Sequence, residues 1–266
     1  MLKTVMSLLI SIYVLLIPYK YGTPQTNPGL NPDPAPYLFD SSLAGYCFVS
    51  GDTVLPFRLA VPEAADEKSE YPLIVFLHGS GERGSDNQQQ VMTSLLEGVE
   101  NNGTQCFILM PQLHKDGNWT DDNIDAALTD LIDNYIIMDY PIDTARIYVT
   151  GDSRGGAGTF DQVLRHPGKY AAAMPICGYH DTFGDASPSY AAFAEIPMWL
   201  GHNLYDPVVP SENSRGVYEA VTAMGGEKIK YTEYKRLAHN AWDEFYSDSE
   251  VWTWLFEQQL TKPQEG

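Results

Sequence analysis

The sequence has few basic residues for its size. Its 266 residues include 16 Lys and Arg against 35 Asp and Glu, which gives a formal net charge of −19. Phosphate backbones and anionic membrane surfaces repel a chain this acidic, so neither nucleic acid nor such a membrane is expected as a partner. The acidity predicts a well-solvated surface instead.

Cysteine is also scarce, with only Cys47, Cys106 and Cys177 present. An odd number leaves at least one thiol unpaired, so we expect buried free thiols, with one disulfide as the alternative. The spacing of the three fits no zinc-binding pattern. Glycine-rich phosphate loops, His-Glu-x-x-His and dinucleotide-binding fingerprints are missing as well. The sequence therefore predicts no metal and no cofactor.

Long apolar runs are missing except at the N-terminus. Lys3 is followed by an apolar run from Val5 to Ile17, which is typical of a secretory signal although no small-residue cleavage site is evident. The run is short for a membrane span, which takes about 20 residues. Residues 1–22 are predicted to be a signal peptide or an uncleaved anchor, and residues 23–44, rich in Pro and Asn, an extended tether. We expect a secreted or periplasmic protein, or one anchored by this segment.

Beyond the tether, short apolar runs alternate with amphipathic stretches. Strands are predicted at residues 46–50, 55–61, 73–77, 106–111, 146–150, 172–176, 198–201 and 229–234. Helices are predicted at about residues 89–100 and 124–135, after Ser153, and at 211–224 and 242–258. This alternation predicts one α/β domain over residues 45–262, with a mostly parallel eight-stranded sheet and helices on both faces.

The most informative segment runs from Ile147 to Gly158, where a hydrophobic strand leads into Gly-Asp-Ser-Arg-Gly and then a helix. This is the pattern of a nucleophile elbow, in which a tight strand-to-helix turn exposes the serine hydroxyl. Gly151 and Gly155 are needed because side chains there would collide with neighbouring backbone. The segment predicts an α/β-hydrolase fold with Ser153 as the nucleophile.

The other two members of a catalytic triad follow from chain order. In α/β-hydrolases the acid and then the histidine come after the serine, each behind a later strand. Asp206 follows the predicted strand 198–201, and His239 is the only histidine after the last strand. Asp181 and Asp185 are the competing acids, but they follow an earlier strand.

A second loop supplies the predicted oxyanion donors. The apolar strand 73–77 runs into His78-Gly-Ser-Gly. The backbone N–H of Ser80 or Gly81, together with that of Arg154, would stabilise the oxyanion of a tetrahedral intermediate. His78 is expected to structure the loop.

Together these segments resemble a known group, the secreted α/β-hydrolases described as predicted peptidases or phospholipase/carboxylesterase-like enzymes. That group is related to polyhydroxybutyrate depolymerases and feruloyl esterases. The matching segments are LIVFLHGSGERG at 73–84, RIYVTGDSRGG at 146–156, MPICG at 174–178, DPVVP at 206–210 and AHNAW at 238–242. The resemblance implies that the triad of the group lies on Ser153, Asp206 and His239.

Two departures from the group lie beside the predicted pocket. The group usually has Met after the nucleophile, where this chain has Arg154, and often has Cys-Gly-Gly-Gly-Asp where this chain has Cys177-Gly-Tyr-His-Asp. Arg154 is expected either to be held by an acidic residue or to favour anionic substrates. Trp119, Tyr179 and His180 follow strand ends closely enough to line the substrate pocket.

The sequence as a whole predicts an exported serine hydrolase that cleaves carboxylic esters through an acyl-enzyme intermediate. A serine peptidase with the same triad is one alternative. A non-catalytic binding member of the fold is another, although every triad position is present. The expected partner is a small-molecule or polymer-linked ester, and a membrane only through an uncleaved N-terminal anchor.

Overall fold

The computed structural model of the chain describes residues 43–62, 65, 69–180 and 188–261. The predicted signal segment, most of the predicted tether, and the competing acids Asp181 and Asp185 lie outside these ranges. No helix in the described ranges has the length and apolar character needed to cross a membrane.

Strands and helices alternate through the described residues. The strands are β1 (Ala44–Ser50), β2 (Thr53–Ala60), β3 (Tyr71–Leu77), β4 (Phe107–Pro111), β5 (Ile142–Asp152), β6 (Ala172–Ile176), β7 (Met198–Asn203) and β8 (Ile229–Tyr234). The helices are α1 (Thr93–Asn102), α2 (Asp122–Leu131), α3 (Ile137–Asp139), α4 (Arg154–Arg165), α5 (Pro188–Glu195), α6 (Glu212–Ala223), α7 (Ala241–Ser247) and α8 (Ser249–Glu257). A π-helical turn at Ile132–Ile136 joins α2 to α3.

The strands form one eight-stranded sheet in the order β1-β2-β4-β3-β5-β6-β7-β8. β2 is antiparallel to both of its neighbours, β1 and β4. Every pair from β4 to β8 is parallel. The predicted mostly parallel eight-stranded sheet is therefore confirmed.

The core lies on both faces of the sheet. In β3, Leu73, Val75 and Leu77 pack into one cluster with α2, α4, α5 and α6, whereas Ile74 and Phe76 pack into another with α1, α7 and α8. Alternate residues of a strand point to opposite faces, so a strand covered on both sides needs apolar residues throughout. This burial explains the unbroken apolar run of β3.

The structure corrects two helical segments. Residues 188–195 form α5, which the sequence did not predict. The single C-terminal helix predicted at 242–258 is instead two helices, because Asp248 is extended and its carboxylate accepts the N–H of Glu250 at the start of α8. Such side-chain acceptance is typical of an N-terminal helix cap.

All three cysteines are unbridged, as the default prediction had it. Cys106 and Cys177 are buried and Cys47 is partly exposed.

The topology brings four loops to one edge of the sheet. The loops after β3, β5, β7 and β8 carry Ser80, Ser153, Asp206 and His239, respectively. These strands are parallel, so their carboxyl ends meet at the same edge, where open parallel sheets place their ligands.

Candidate active site

Ser153 lies alone in the turn between β5 and α4. Its backbone has φ of 52° and ψ of −113°, a conformation that L-residues with a side chain rarely adopt. Such strain costs on the order of 1–3 kcal/mol and persists only where the surrounding structure enforces it. The N–H of Ser153 donates to the carbonyl of Ile176 at 2.8 Å, which ties the turn to β6.

The two glycines of the motif allow this turn because β3 and α4 pass very close to it. A Cβ added at Gly155 would lie 1.7 Å from the carbonyl oxygen of Leu77, and one at Gly151 would lie 2.4 Å from the same atom. Both distances are shorter than any non-bonded contact with backbone. The steric role predicted for the two glycines is thus confirmed.

The structure joins Ser153, His239 and Asp206 in one hydrogen-bonded chain. The Oγ of Ser153 lies 2.8 Å from Nε2 of His239, and Nδ1 of His239 lies 2.6 Å from Oδ2 of Asp206. An ionised carboxylate can only accept, so the proton of the imidazole is placed on Nδ1 and Nε2 is left to accept from the serine hydroxyl.

Asp206, the acid of the triad, is held in place by backbone N–H groups of its own loop. Oδ1 of Asp206 accepts the N–H groups of Val208 and Val209 at 2.8 and 3.0 Å, and its side chain has no exposed surface. Burial raises the pKa of Asp206, but the hydrogen bonds from His239, Val208 and Val209 outweigh it and hold that pKa below its ordinary range. Asp206 therefore stays ionised.

The loops of Asp206 and His239 support each other. The N–H of Tyr205 donates to the carbonyl of Arg236 at 3.1 Å, and the side chain of Asn203 donates to the carbonyl of Ala238 at 3.0 Å. The ring of Trp242 packs edge-on against the imidazole of His239, with centroids 5.5 Å apart. These contacts fix the imidazole between the carboxylate and the serine.

A second histidine, His202, lies beside Asp206 but makes no hydrogen bond to the triad. Nε2 of His202 is 3.6 Å from Oδ2 of Asp206, beyond hydrogen-bonding distance, and it donates instead to the carbonyl of Val209 at 2.9 Å. Nδ1 of His202 lies 2.7 Å from the hydroxyl of Ser214. Burial lowers the pKa of His202, in keeping with a neutral ring that supports the acid loop.

The loop after β3 is built around His78. Nδ1 of this buried ring donates to the carbonyl of Gly79 at 2.6 Å, and Nε2 accepts the N–H of Leu113 at 2.9 Å. Burial, helped by the positive charges of Arg83 and Arg154, lowers the pKa of His78 to about 4, although its bond to Gly79 acts in the opposite direction. His78 is thus a neutral structural group, as predicted.

Trp119 also holds the loop after β3 in place. This role corrects the prediction that Trp119 lines the substrate pocket. The side chain is only 1% exposed, and its indole N–H donates to the carbonyl of His78 at 2.9 Å. Helix α4 packs directly on Trp119. A Cβ added at Gly158 of this helix would lie only 2.5 Å from Cβ of Trp119. Trp119 is therefore a core residue beneath the loop.

The residues on either side of Ser153 both bind this loop. The carboxyl group of the buried Asp152 lies against Gly79, where an added Cβ would be 2.6 Å from Oδ2, and Nε of Arg154 donates to the hydroxyl of Ser80 at 2.8 Å. Ser80 and Gly81 follow Gly79 and are exposed. Sequence reasoning missed the role of Asp152, because the contact depends on how the loop after β3 crosses the end of β5.

Tyr179 and His180 follow β6 and are partly exposed. The ring of His180 contacts the rings of Phe160 and Phe193 edge-on, with centroids 6.0 and 5.5 Å apart. Both residues directly precede 181–187, outside the described residues. Their role in lining a substrate pocket stays a prediction.

Cys177 lies next to the triad, and ligand atoms of Cys177, Asp206 and His239 lie within 4.8 Å of one another. Such a group could hold a metal ion in principle. Burial raises the pKa of Cys177 to about 12, so the thiol is protonated, whereas metals bind the thiolate. Both imidazole nitrogens of His239 are already hydrogen-bonded. The donor set therefore suits a hydrogen-bonded triad better than a metal.

Comparison with known proteins identifies the family. The sequence model of the phospholipase/carboxylesterase family matches residues 105–251, more than half of the chain. The chain belongs to this family. Its fold is the α/β-hydrolase fold, as predicted, and the family is one of esterase- and thioesterase-type hydrolases.

Individual relatives agree with this membership. A thermostable esterase of known structure is 35% identical with a TM-score of 0.73, and the match covers 81% of this chain and 62% of that one. Acyl-protein thioesterase 1 of Emericella nidulans is 27% identical over 107 residues, which are 39% of this chain and 45% of the thioesterase. The chain thus spans less than two thirds of the length of either protein.

The acylaminoacyl peptidase of Pyrococcus horikoshii shares the fold alone. It is 18% identical, with a TM-score of 0.59 over 84% of this chain and 42% of the peptidase. The predicted relation to polyhydroxybutyrate depolymerases and the predicted export stay predictions.

Proposed function

We propose that the protein is a serine hydrolase that cleaves carboxylic esters through an acyl-enzyme intermediate. The observation that carries the proposal is the hydrogen-bonded chain from Ser153 through His239 to Asp206, with the partly exposed Ser153 placed on a strand-to-helix turn. Membership in the phospholipase/carboxylesterase family supports the same conclusion.

In the first half of the reaction Ser153 Oγ attacks the ester carbonyl while Nε2 of His239 takes its proton. Asp206 stabilises the imidazolium that forms, because its carboxylate lies 2.6 Å from Nδ1. The imidazolium then protonates the leaving alkoxide and the acyl group stays on Ser153. In the second half, water attacks the acyl-enzyme with His239 again as the base, and the acid is released.

The oxyanion of each tetrahedral intermediate needs backbone donors. Arg154 begins α4, so its N–H has no acceptor within the helix and is free to point at the reacting carbonyl. Ser80 or Gly81, in the loop after β3, would supply the second donor. Removing one such donor typically lowers the rate by about 10²–10³.

An ester or thioester substrate is favoured over a peptide. An alkoxide or thiolate leaves with less help from a general acid than an amide nitrogen requires. The names of the 35% identical esterase and of the acyl-protein thioesterase point the same way. The substrate is proposed to be a small-molecule or polymer-linked ester.

The proposal is tested with a fluorophosphonate probe and an aryl ester. The wild-type protein should be labelled and should hydrolyse 4-nitrophenyl pentanoate, and Ser153→Ala should lose the label and a factor on the order of 10⁴–10⁶ in rate. Ser247→Ala, at an exposed serine outside the site, is the matched control and should behave as wild type. Equal labelling of Ser153→Ala and wild type would refute the assignment.

The peptidase alternative is separated by the leaving group. Three pentanoyl substrates are compared: the 4-nitrophenyl ester, the corresponding thioester and the 4-nitroanilide. They share one acyl group and differ in whether an ester, a thioester or an amide bond is cleaved. We expect hydrolysis of the first two and not of the anilide. Faster cleavage of the anilide than of the ester would favour a peptidase with the same triad.

A further inference from the structure

Two arginines near Ser153, Arg83 and Arg154, have no acidic partner within the described residues. Of the seven arginines in the chain, four form ion pairs with Asp or Glu: Arg146, Arg165, Arg215 and Arg236. Arg58 donates to the backbone carbonyls of Leu43 and Asn87. Arg83 and Arg154 have no carboxylate at ion-pair distance among the residues that the structure describes.

Both guanidinium groups meet the loop after β3. Nε of Arg154 donates to the hydroxyl of Ser80 at 2.8 Å, and Nε of Arg83 donates to the carbonyl of Ser80 at 3.1 Å. Each bond uses one of the five N–H groups that a guanidinium carries. Within the described ranges the terminal nitrogens of Arg154 make no hydrogen bond. A partly exposed side chain therefore presents four N–H groups one residue away from Ser153.

This unpaired charge is unusual in a chain with a net charge of −19. Arg165, at the other end of α4, contacts Asp122 and Asp161 at 2.8 and 2.7 Å. Arg154 has no such neutralising partner in the described part of the chain, so the expectation that an acidic residue holds it finds no support there. The hydroxyl of Ser80 is neutral, so it orients the guanidinium and leaves its positive charge uncompensated.

We propose that Arg154 binds an anionic group of the substrate, so that the site prefers esters carrying a carboxylate close to the scissile bond. A guanidinium is planar and can hold a carboxylate through two parallel N–H···O bonds, which gives both strength and orientation. Arg83, on the same loop, adds a second positive charge. This inference rests on the proposed ester hydrolysis and names its substrate class.

A matched pair of esters tests the inference. Mono-4-nitrophenyl glutarate and 4-nitrophenyl pentanoate have acyl chains of equal length and differ in the terminal carboxylate, and spontaneous hydrolysis is subtracted for each. We expect the ratio of kcat/KM, glutarate over pentanoate, to fall about tenfold in Arg154→Met. Raising the salt from about 0.05 to about 1 M should lower the wild-type ratio more than that of Arg154→Met, in which only the charge of Arg83 remains to be screened.

Two further variants separate charge from loop support. Ser80→Ala removes the hydroxyl that Arg154 contacts and keeps the guanidinium, so it should lower the ratio less than Arg154→Met does. Arg165→Met is the control for loss of a positive charge on α4. It lies about 16 Å along the helix axis from Arg154, so both rates and their ratio should stay at the wild-type values.

The outcomes are distinguishable. Hydrolysis of the pentanoate by wild type with an unchanged ratio in Arg154→Met overturns this inference alone and leaves Arg154 as support for the loop. Equal losses of kcat/KM on both esters, in both Ser80→Ala and Arg154→Met, would also overturn this inference and leave Arg154 as support for the loop. Hydrolysis of neither ester by wild type overturns the proposed function, and this inference with it.

Discussion

Asp152 is a buried acid directly before the candidate nucleophile, and only 3% of it is exposed. Burial raises its pKa well above the ordinary range, and the negative charge of Glu82 raises it further, although backbone N–H groups including that of Gly79 act in the opposite direction. Oδ1 of Asp152 has no hydrogen-bond partner within the described residues. These surroundings favour the protonated, neutral carboxyl group in the folded protein.

The raised pKa of Asp152 makes stability depend on pH. Between the ordinary carboxyl range and the raised pKa, the folded protein keeps the proton while the unfolded chain has lost it. The free energy of unfolding therefore falls as the pH rises. Asp152→Asn cannot ionise, so its stability relative to wild type should increase from pH 5 to pH 7, by up to about 1.4 kcal/mol per pH unit.

Urea unfolding at three pH values in that interval measures this difference. The exposed Asp116→Asn controls for the loss of one negative charge. If the difference in the free energy of unfolding between Asp152→Asn and wild type does not change with pH, then Asp152 is ionised in the folded protein.

At the scale of elements, the loop after β3 depends on the segment between β4 and α2. The indole of Trp119 reaches from that segment to the carbonyl of His78, and His78 in turn holds Gly79. These buried contacts thereby fix, from the side of the core, the loop that carries Ser80 and Gly81. Its geometry at the site follows from a buried hydrogen bond several residues away.

Trp119→Phe removes that hydrogen bond and keeps an aromatic ring. We expect kcat/KM for an aryl ester to fall about tenfold, because displaced oxyanion donors stabilise the transition state less well. A buried carbonyl left unpaired should also lower the free energy of unfolding by about 1–3 kcal/mol.

Trp252→Phe is the matched control for this prediction. Trp252 is equally buried, at 1% exposed, and its indole donates to the carbonyl of Tyr246 at 2.6 Å on the other face of the sheet. It should lose a comparable amount of stability and keep wild-type kcat/KM. Equal losses of kcat/KM in both variants would show that Trp119 acts through general stability only.

The sequence predicted the elements that burial patterns make visible. Parallel strands such as β3 and β6 are buried on both faces, so they stand out as unbroken apolar runs. α5 was missed because its eight residues, Pro-Ser-Tyr-Ala-Ala-Phe-Ala-Glu, show no helical alternation of apolar and polar positions. The break between α7 and α8 had a local signal, Ser-Asp-Ser-Glu at 247–250, in which Asp248 caps α8.

At the site, chain order predicted the residues that the fold brings together, Ser153, Asp206 and His239. Trp119 was wrongly placed, because proximity to a strand end does not tell which way a side chain points. The contacts of Asp152 and Arg154 with the loop after β3 depend on the tertiary crossing of two distant segments, and no local pattern encodes that crossing.

At the scale of the whole molecule, the site spans strands of unequal burial. β3 is buried over six of its seven residues and lies in the middle of the sheet, whereas β8 forms an edge and is buried at Ile229 alone. His239 follows β8 and therefore depends on the less buried side of the sheet. Edge elements with little buried apolar surface open more readily than the core.

We expect activity to be lost at lower urea than secondary structure. Release of β8 separates His239 from Ser153 while the central strands remain folded, so the midpoint for ester hydrolysis should precede the midpoint for far-ultraviolet circular dichroism. Both are measured on the same samples at equilibrium. Coincident midpoints would show that β8 unfolds together with the core.

The position of β8 also matters while the chain is being synthesised. The loop after β3, Ser153 and Asp206 are all synthesised before His239, which follows β8. A serine hydroxyl without its base is a poor nucleophile. Under the proposed mechanism, a growing chain whose earlier strands have already folded would carry an inert serine. Reactivity towards esters would begin only when β8 joins the sheet.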